Sequence, residues 1–369
     1  MKNQDLGILV LSDGTFFEGI SVGQKGHAFG EIVFNTAQTG YQEVLTDPSY
    51  AEQLIVFTQP HIGNVGINSE DMESDRVFAN GIIMRSISEV ASNWRSEETL
   101  QNFLIKQQLI AISEIDTRAL THHLRQFGSQ SGCIMTGDID YNQALNYAKS
   151  FSGLLGKDLV QKVTIKEPYI FGQHKTDPYH IVVYDFGVKR SILNCLADLD
   201  CAITIVPATT KAEAILALKP NGIVLSNGPG DPSACTYAIE AVKSLLKNKI
   251  PIMAICLGHQ LLALASGAKT KKMDFGHHGT NHPIRHIKNN TISISSQNHG
   301  FVVSEENLPA CLSVTHRSLF DSTISGIERL DVPAFGFQGH PEAGPGPVEL
   351  TMLFKQFKSM IEVSHVKKN

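Results

Sequence analysis

Four short apolar runs, IVVY at 181–184, ITIV at 203–206, GIVL at 222–225 and IMAI at 252–255, constrain this chain more than any other feature. Each has the length of a strand, and helix-like segments separate one from the next. Strands alternating with helices imply a parallel sheet with helices on both faces. In such a sheet the ligand site lies beyond the carboxyl ends of the strands. Asp185, the pair Asn227-Gly228 and Cys256 all fall just past such ends. The last run enters Cys256 and then a helical pattern, QLLALA at 260–265, that Gly267 closes. Cys256-Leu257-Gly258 is therefore expected to be a sharp strand-to-helix turn carrying a thiol.

The 369 residues suffice for two domains with full cores. Residues 1–145 mix strand-like segments, such as 7–11 and 53–57, with helical patterns near 97–107 and 116–127, which reads as an α+β domain. Periodicity fades over 146–179, where Gly153, Gly156, Pro168, Gly172 and Pro178 suggest a linker. The α/β domain then occupies 180–369. With 31 basic against 36 acidic residues, the net charge of −5 points to neither a nucleic-acid nor an anionic-membrane partner. No apolar stretch approaches the roughly 20 residues of a membrane helix. The start, MKNQDLGILVLSDG, lacks the pattern of a secretory leader. Six dispersed cysteines without a C-x-x-C read as reduced thiols, so a cytoplasmic protein is expected.

A thiol at the head of a helix meets unpaired backbone N–H groups and a partial positive charge, and both favour thiolate over thiol. A free thiol with a pKa of about 8.5 is only a few per cent ionised near neutral pH, so a base is still required. The sequence FGFQGHPEAGPGP at 335–347 offers one. Pro341 holds His340 extended, and extended backbone puts residues i and i+2 on the same side. Glu342 can then orient one ring nitrogen of His340 while the other faces a thiol, the nucleophile–base–orienter arrangement. The blander readings are a buried structural Cys256 and a turn histidine beside a solvated glutamate. Cys195 and Cys201, in apolar context, read as plain core. LSNGPGDP at 225–232 is a Gly/Pro turn able to present backbone N–H groups to an oxyanion or carboxylate. It lacks the G-K-[ST] of a phosphate loop. The YDFG at 184–187 has no companion kinase motif. His277, His278 and His282 crowd together without an interleaved Cys or acid, a weak case for a metal.

Taken together, ICLGHQLLA, SNGPGDP and GHPEA, in this order, resemble the class I (triad) glutamine amidotransferases. FNTAQTGYQEVLTDPSY (34–50), PHIGNVGIN (60–68), EIDTRALT (114–121), FGHHGTNHP (275–283) and QNHGF (297–301) extend the resemblance to the small, glutamine-hydrolysing subunits of carbamoyl-phosphate synthase, over nearly the whole chain. The resemblance implies that Cys256 forms a γ-glutamyl thioester, that His340 is base and then acid, and that Glu342 orients it. Leu257 and Gly228 would supply the oxyanion hole. Ser49, Gly228, Gly230, Leu257, Gln260, Asn298, Gly300 and Phe301 match the glutamine-binding positions. Ala254 stands where the family usually has Gly, and Gly344 where Ser is common; neither change is expected to abolish activity. The resemblance further implies that this chain holds no cofactor. ATP, Mg²⁺ and bicarbonate would belong to a large synthetase partner that turns the released ammonia into carbamoyl phosphate for arginine and pyrimidine biosynthesis. Two alternatives stay open. One is a stand-alone cysteine hydrolase of the γ-glutamyl hydrolase or DJ-1/PfpI type; the other is a catalytically silent regulatory subunit.

Overall fold

The computed structural model describes residues 5–172 and 179–366. Contacts divide the chain into two units. One comprises the residues up to Leu155 together with Asp274–Gly279; the other comprises Gly156–Met273 and the residues from Thr280 onward.

In the first unit, seven strands close into a barrel in the order Leu6–Leu11, Phe16–Ser21, Ile110–Ser113, Gly81–Ile83, Gln53–Phe57, Gly26–Asn35 and Gln130–Thr136. The run from Ile110–Ser113 to Gly26–Asn35 is parallel, and the remaining pairings are antiparallel. Side chains alternate between the two surfaces of each strand. Leu9, Leu11, Leu54, Val56, Ile112 and Ile134 share one core. Their neighbours turn the other way: Ile55, Phe57 and Ala111 pack under helices Tyr41–Thr46 and Leu100–Lys106. Ile8, Val10 and Cys133 pack under helix Tyr141–Ser150, which the sequence reading missed. That helix starts where the Asp140 carboxylate accepts the Gln143 N–H at 3.0 Å. The α+β expectation for this region becomes, in detail, a closed barrel with helices outside it.

The second unit is built on a ten-stranded sheet. Its order is Tyr169–Phe171, Ala202–Pro207, His180–Asp185, Gly222–Leu225, Ile252–Ile255, Ala334–Phe337, Ile324–Arg329, Leu312–Ser318, Thr270–His286 and Ile292–Val303. The strands from Ala202–Pro207 to Ala334–Phe337 are parallel, as the alternating pattern implied. Ile181, Val183, Val224, Met253 and Ile255 face helices Arg190–Ala197 and Met352–Val366. Val182, Tyr184, Ile223, Leu225 and Ile252 face helices Ala212–Ala217, Thr236–Leu246 and Leu257–Ala265.

The stretch 146–179 is more ordered than a linker. Its start finishes helix Tyr141–Ser150, Val160–Val163 is helical, and Tyr169–Phe171 pairs antiparallel with Ala202–Pro207 as an edge strand. Pro178 lies outside the described residues.

Candidate active site

Strand Ile252–Ile255 ends in Cys256, and helix Leu257–Ala265 begins at the next residue. The bend expected over three residues is therefore confined to one. Cys256 takes φ 52° and ψ −107°, a region costly for a residue with a Cβ. Three backbone hydrogen bonds hold it: Cys256 N–H to Phe337 at 2.9 Å, Gly258 N–H to Ser226 at 3.0 Å and Gln260 N–H to Cys256 at 3.2 Å. Gly258 permits the close approach, since a Cβ there would stand 2.2 Å from the Leu225 carbonyl oxygen. The Cys256 side chain is buried, and its Sγ lies 3.5 Å from the Asn298 carbonyl oxygen.

His340 follows strand Ala334–Phe337, and its N–H donates to the Ser296 carbonyl at 2.9 Å. Nδ1 of His340 lies 2.6 Å from Glu342 Oε1, the pairing expected from their i, i+2 spacing. Nε2 is buried and makes no aligned hydrogen bond to a described residue, while the neighbouring Cys256 thiol favours the protonated ring. Burial alone would discharge the imidazole. Glu342, aided by Cys256, outweighs both burial and the repulsion of Lys189, so His340 holds its proton well above the usual histidine range. Burial would likewise keep Glu342 neutral. Lys189 and His340 outweigh it and hold the carboxyl well below the usual carboxylate range. His259 sits three residues from Cys256 but is no rival base. Burial pushes it down to about 4, and its ring packs against Gly336.

Lys189 escaped the sequence reading. It directly precedes helix Arg190–Ala197, yet its side chain is buried. Nζ donates to Glu342 Oε1 at 3.0 Å and to the Ala343 carbonyl at 2.8 Å, while its backbone N–H donates to Asn227 Oδ1 at 3.2 Å. One residue thus ties the orienting carboxylate to the Asn227-Gly228 turn. Lys189→Met removes the cation from a buried ion pair, which is expected to cost about 3 kcal/mol of stability. Glu342 has a lowered folded-state pKa, so the contribution of the pair is present above the ordinary carboxylate pKa and is lost as pH falls through the folded value. Unfolding compared at neutral and acid pH should show the difference shrink at acid pH; a pH-independent difference would assign Lys189 a packing role alone.

The Asn227-Gly228 turn lies against the elbow. A Cβ on Gly228 would stand 2.1 Å from the Phe186 carbonyl oxygen and 2.8 Å from a Leu257 methyl. Among the described residues, neither the Leu257 nor the Gly228 N–H donates to a backbone acceptor. Gly230 follows at φ 89°. Strand Ile292–Val303 carries Asn298, Gly300 and Phe301. Gln260 Nε2 donates to the Phe301 carbonyl at 2.7 Å and to Gln338 Oε1 at 3.0 Å; Gln338 is a second residue without a signal in sequence. Of the residues singled out from sequence, Cys256, His340, Glu342, Gly228, Gly230, Leu257, Gln260, Asn298, Gly300 and Phe301 all belong to this one unit. Ser49 belongs to the barrel unit. There it lies buried in the turn Pro48–Tyr50, its N–H donating to Asp47 Oδ1 at 2.9 Å.

Two family models match separate stretches of the chain. Residues 9–134 match the carbamoyl-phosphate synthase small chain, CPSase domain, and residues 182–360 match the class-I glutamine amidotransferases. The carbamoyl phosphate synthase small chain of Photorhabdus laumondii is 55% identical over 370 residues, covering 96% of both chains. The chain belongs to the carbamoyl-phosphate synthase small-chain family. The small chain of Photobacterium profundum is 54% identical, with 97% of each covered, and that of Escherichia coli O6:H1 is 54% identical, with 96% of this chain and 97% of the relative covered. This family assignment fits the elbow thiol and its buried histidine–carboxylate pair on the amidotransferase sheet. It also accounts for the N-terminal barrel, which a stand-alone hydrolase would not need. No described helix is long and apolar enough to cross a membrane.

Proposed function

We propose that this chain is the glutamine-hydrolysing subunit of a cytoplasmic carbamoyl-phosphate synthase and that it delivers ammonia to a large, ATP-using synthetase subunit. The observation that carries the reading is the buried series Cys256, His340, Glu342, in which the carboxylate fixes one ring nitrogen at 2.6 Å and leaves the other for the thiol. The Cys256 thiol passes its proton to His340 Nε2. The thiolate attacks the side-chain carbonyl carbon of glutamine, and the backbone N–H groups of Leu257 and Gly228 take the oxyanion. As the tetrahedral species collapses, His340 returns its proton to the departing nitrogen, giving ammonia and a γ-glutamyl thioester. Water, deprotonated by His340, then releases glutamate and restores the thiol. Gly230, Gln260, Asn298, Gly300 and Phe301 hold the amino-acid part of the substrate. ATP, Mg²⁺ and bicarbonate act on the partner.

Free ammonia is mostly protonated near neutral pH and is then no nucleophile, so hydrolysis without an acceptor wastes glutamine. Glutaminase turnover is therefore expected to be slow for the chain alone and faster with the synthetase partner, ATP and bicarbonate. Such coupling requires two states that differ at the Cys256–Gly228 region. Steady-state glutamate release under the three conditions is the test; equal kcat throughout would remove the coupling. A chain that released no glutamate under any condition would overturn the glutaminase assignment.

A further inference from the structure

Two parallel strands end side by side next to the elbow, and a single buried hydroxyl links the chains that leave them. Tyr184 of His180–Asp185 lies opposite Leu225 of Gly222–Leu225, so Phe186 and Ser226 leave the sheet at neighbouring ends. Ser226 is fully buried. Its Oγ accepts the Phe186 N–H at 3.0 Å. An amide nitrogen can only donate, so the hydroxyl hydrogen is left for an acceptor, and the Asn227 carbonyl oxygen takes it at 2.9 Å. The Phe186 side of the link is itself fixed. Asp185 Oδ1 accepts the N–H groups of Gly187 at 2.9 Å and Val188 at 2.8 Å.

The bond to the Asn227 carbonyl reaches beyond Ser226. That carbonyl and the Gly228 N–H belong to one peptide unit. A trans peptide is planar, with its oxygen and its hydrogen on opposite sides, so holding the oxygen also sets the direction of the hydrogen. Glycine puts little steric restraint of its own on such a plane, and the restraint has to come from a neighbour. The backbone of Ser226 does related work. Its carbonyl accepts the Gly258 N–H at 3.0 Å, and Gly258 directly follows Leu257. The hydroxyl thus holds the peptide that carries the Gly228 N–H, and the carbonyl holds the first turn of the helix that carries the Leu257 N–H.

We propose that Ser226 is a positioning residue for glutamine hydrolysis, whose hydroxyl clamps the Asn227-Gly228 peptide so that the Gly228 N–H is already aimed when the oxyanion forms. The inference rests on the functional reading above and gives Ser226 no contact with the reacting atoms. A donor fixed in advance needs no reorganisation during the reaction, whereas one that must first turn loses part of its worth.

The test is Ser226→Ala in the full chain, with Ser226→Cys as a variant of similar size whose thiol is a weak donor. Outright loss of an oxyanion donor costs about 10²–10³-fold in kcat, so a misaimed one in Ser226→Ala should cost about ten- to a hundred-fold. Glutamine KM should stay within about two-fold, because the lost interaction is made in the transition state. Ser226→Cys should lose less, about three- to ten-fold, and carries the test if the alanine chain unfolds. Two probes separate aim from general damage. Iodoacetamide alkylates the Cys256 sulfur with loss of iodide and no oxyanion, so its rate should be unchanged. A glutamine analogue with an aldehyde in place of the side-chain amide takes the Cys256 sulfur onto its carbonyl carbon, and the carbonyl electron pair moves to the oxygen as an oxyanion. Its inhibition should weaken about as much as kcat falls. Wild-type kcat in the folded variants, unchanged aldehyde inhibition, or alkylation slowed as much as hydrolysis would overturn the proposal. A wild-type chain that neither releases glutamate nor is inhibited by the aldehyde would overturn the glutaminase reading itself.

Discussion

A Cys256→Ser enzyme is expected to lose glutamine-dependent carbamoyl phosphate synthesis by about 10⁴-fold or more and to keep synthesis from added ammonia. The hydroxyl has the same geometry but does not ionise near neutral pH. The strained backbone at φ 52° aims whatever side chain stands there at the same spot. The readouts are carbamoyl phosphate formed from glutamine and from ammonium salts, and trapping of labelled glutamine as a protein-bound thioester. Parallel loss of both activities would make Cys256 a structural residue and remove the proposed mechanism.

His340→Asn should lower glutaminase kcat by about 10²–10⁴-fold, the worth of a positioned base, and Glu342→Gln should lower it less. The difference follows from what each group does. In the proposed mechanism His340 moves the proton, whereas Glu342 contacts the ring at 2.6 Å and favours its charged form. Glu342→Gln also leaves Lys189 buried with its ionic partner gone, so part of its effect should appear as lowered thermal stability. Near-normal thioester formation in His340→Asn would reassign the base.

The strands of the sheet were legible because they are buried on both faces, which makes each a continuous apolar run. Cys256, His340 and Glu342 were legible because each lies in a local motif. His340 and Glu342 are neighbours in sequence, and the thiol stands at a strand end. Lys189 was not, because its burial is decided by Glu342, 153 positions away, and a lysine leading into a helix reads as solvated surface. Gln338 is similar: its side-chain oxygen accepts from Gln260, 78 positions distant. Helix Tyr141–Ser150 was easy to overlook because its apolar stripe, Tyr141, Ala144, Leu145 and Ala148, is weak: its two fully buried members are alanines, and Leu145 is only partly covered. Barrel closure depends on pairing Leu6–Leu11 with Gln130–Thr136, a register that no local pattern encodes.

The strand Thr270–His286 has a consequence for biogenesis. Its middle, Asp274–Gly279, belongs to the barrel unit, where the Asp274 carbonyl accepts the Ser129 N–H at 2.7 Å and the His278 carbonyl accepts the Thr36 N–H at 3.0 Å. Chains fold as they leave the ribosome, amino-terminal part first. Here the amino-terminal unit waits for acceptors that are translated only after five of the ten strands of the sheet bearing Cys256 have emerged. A fragment ending at Leu155 leaves those two amides without their acceptors, and a fragment starting at Gly156 carries a strand segment whose partners are missing. The two units are therefore interleaved in the order of synthesis, and neither can be made whole by a single cut in the gene.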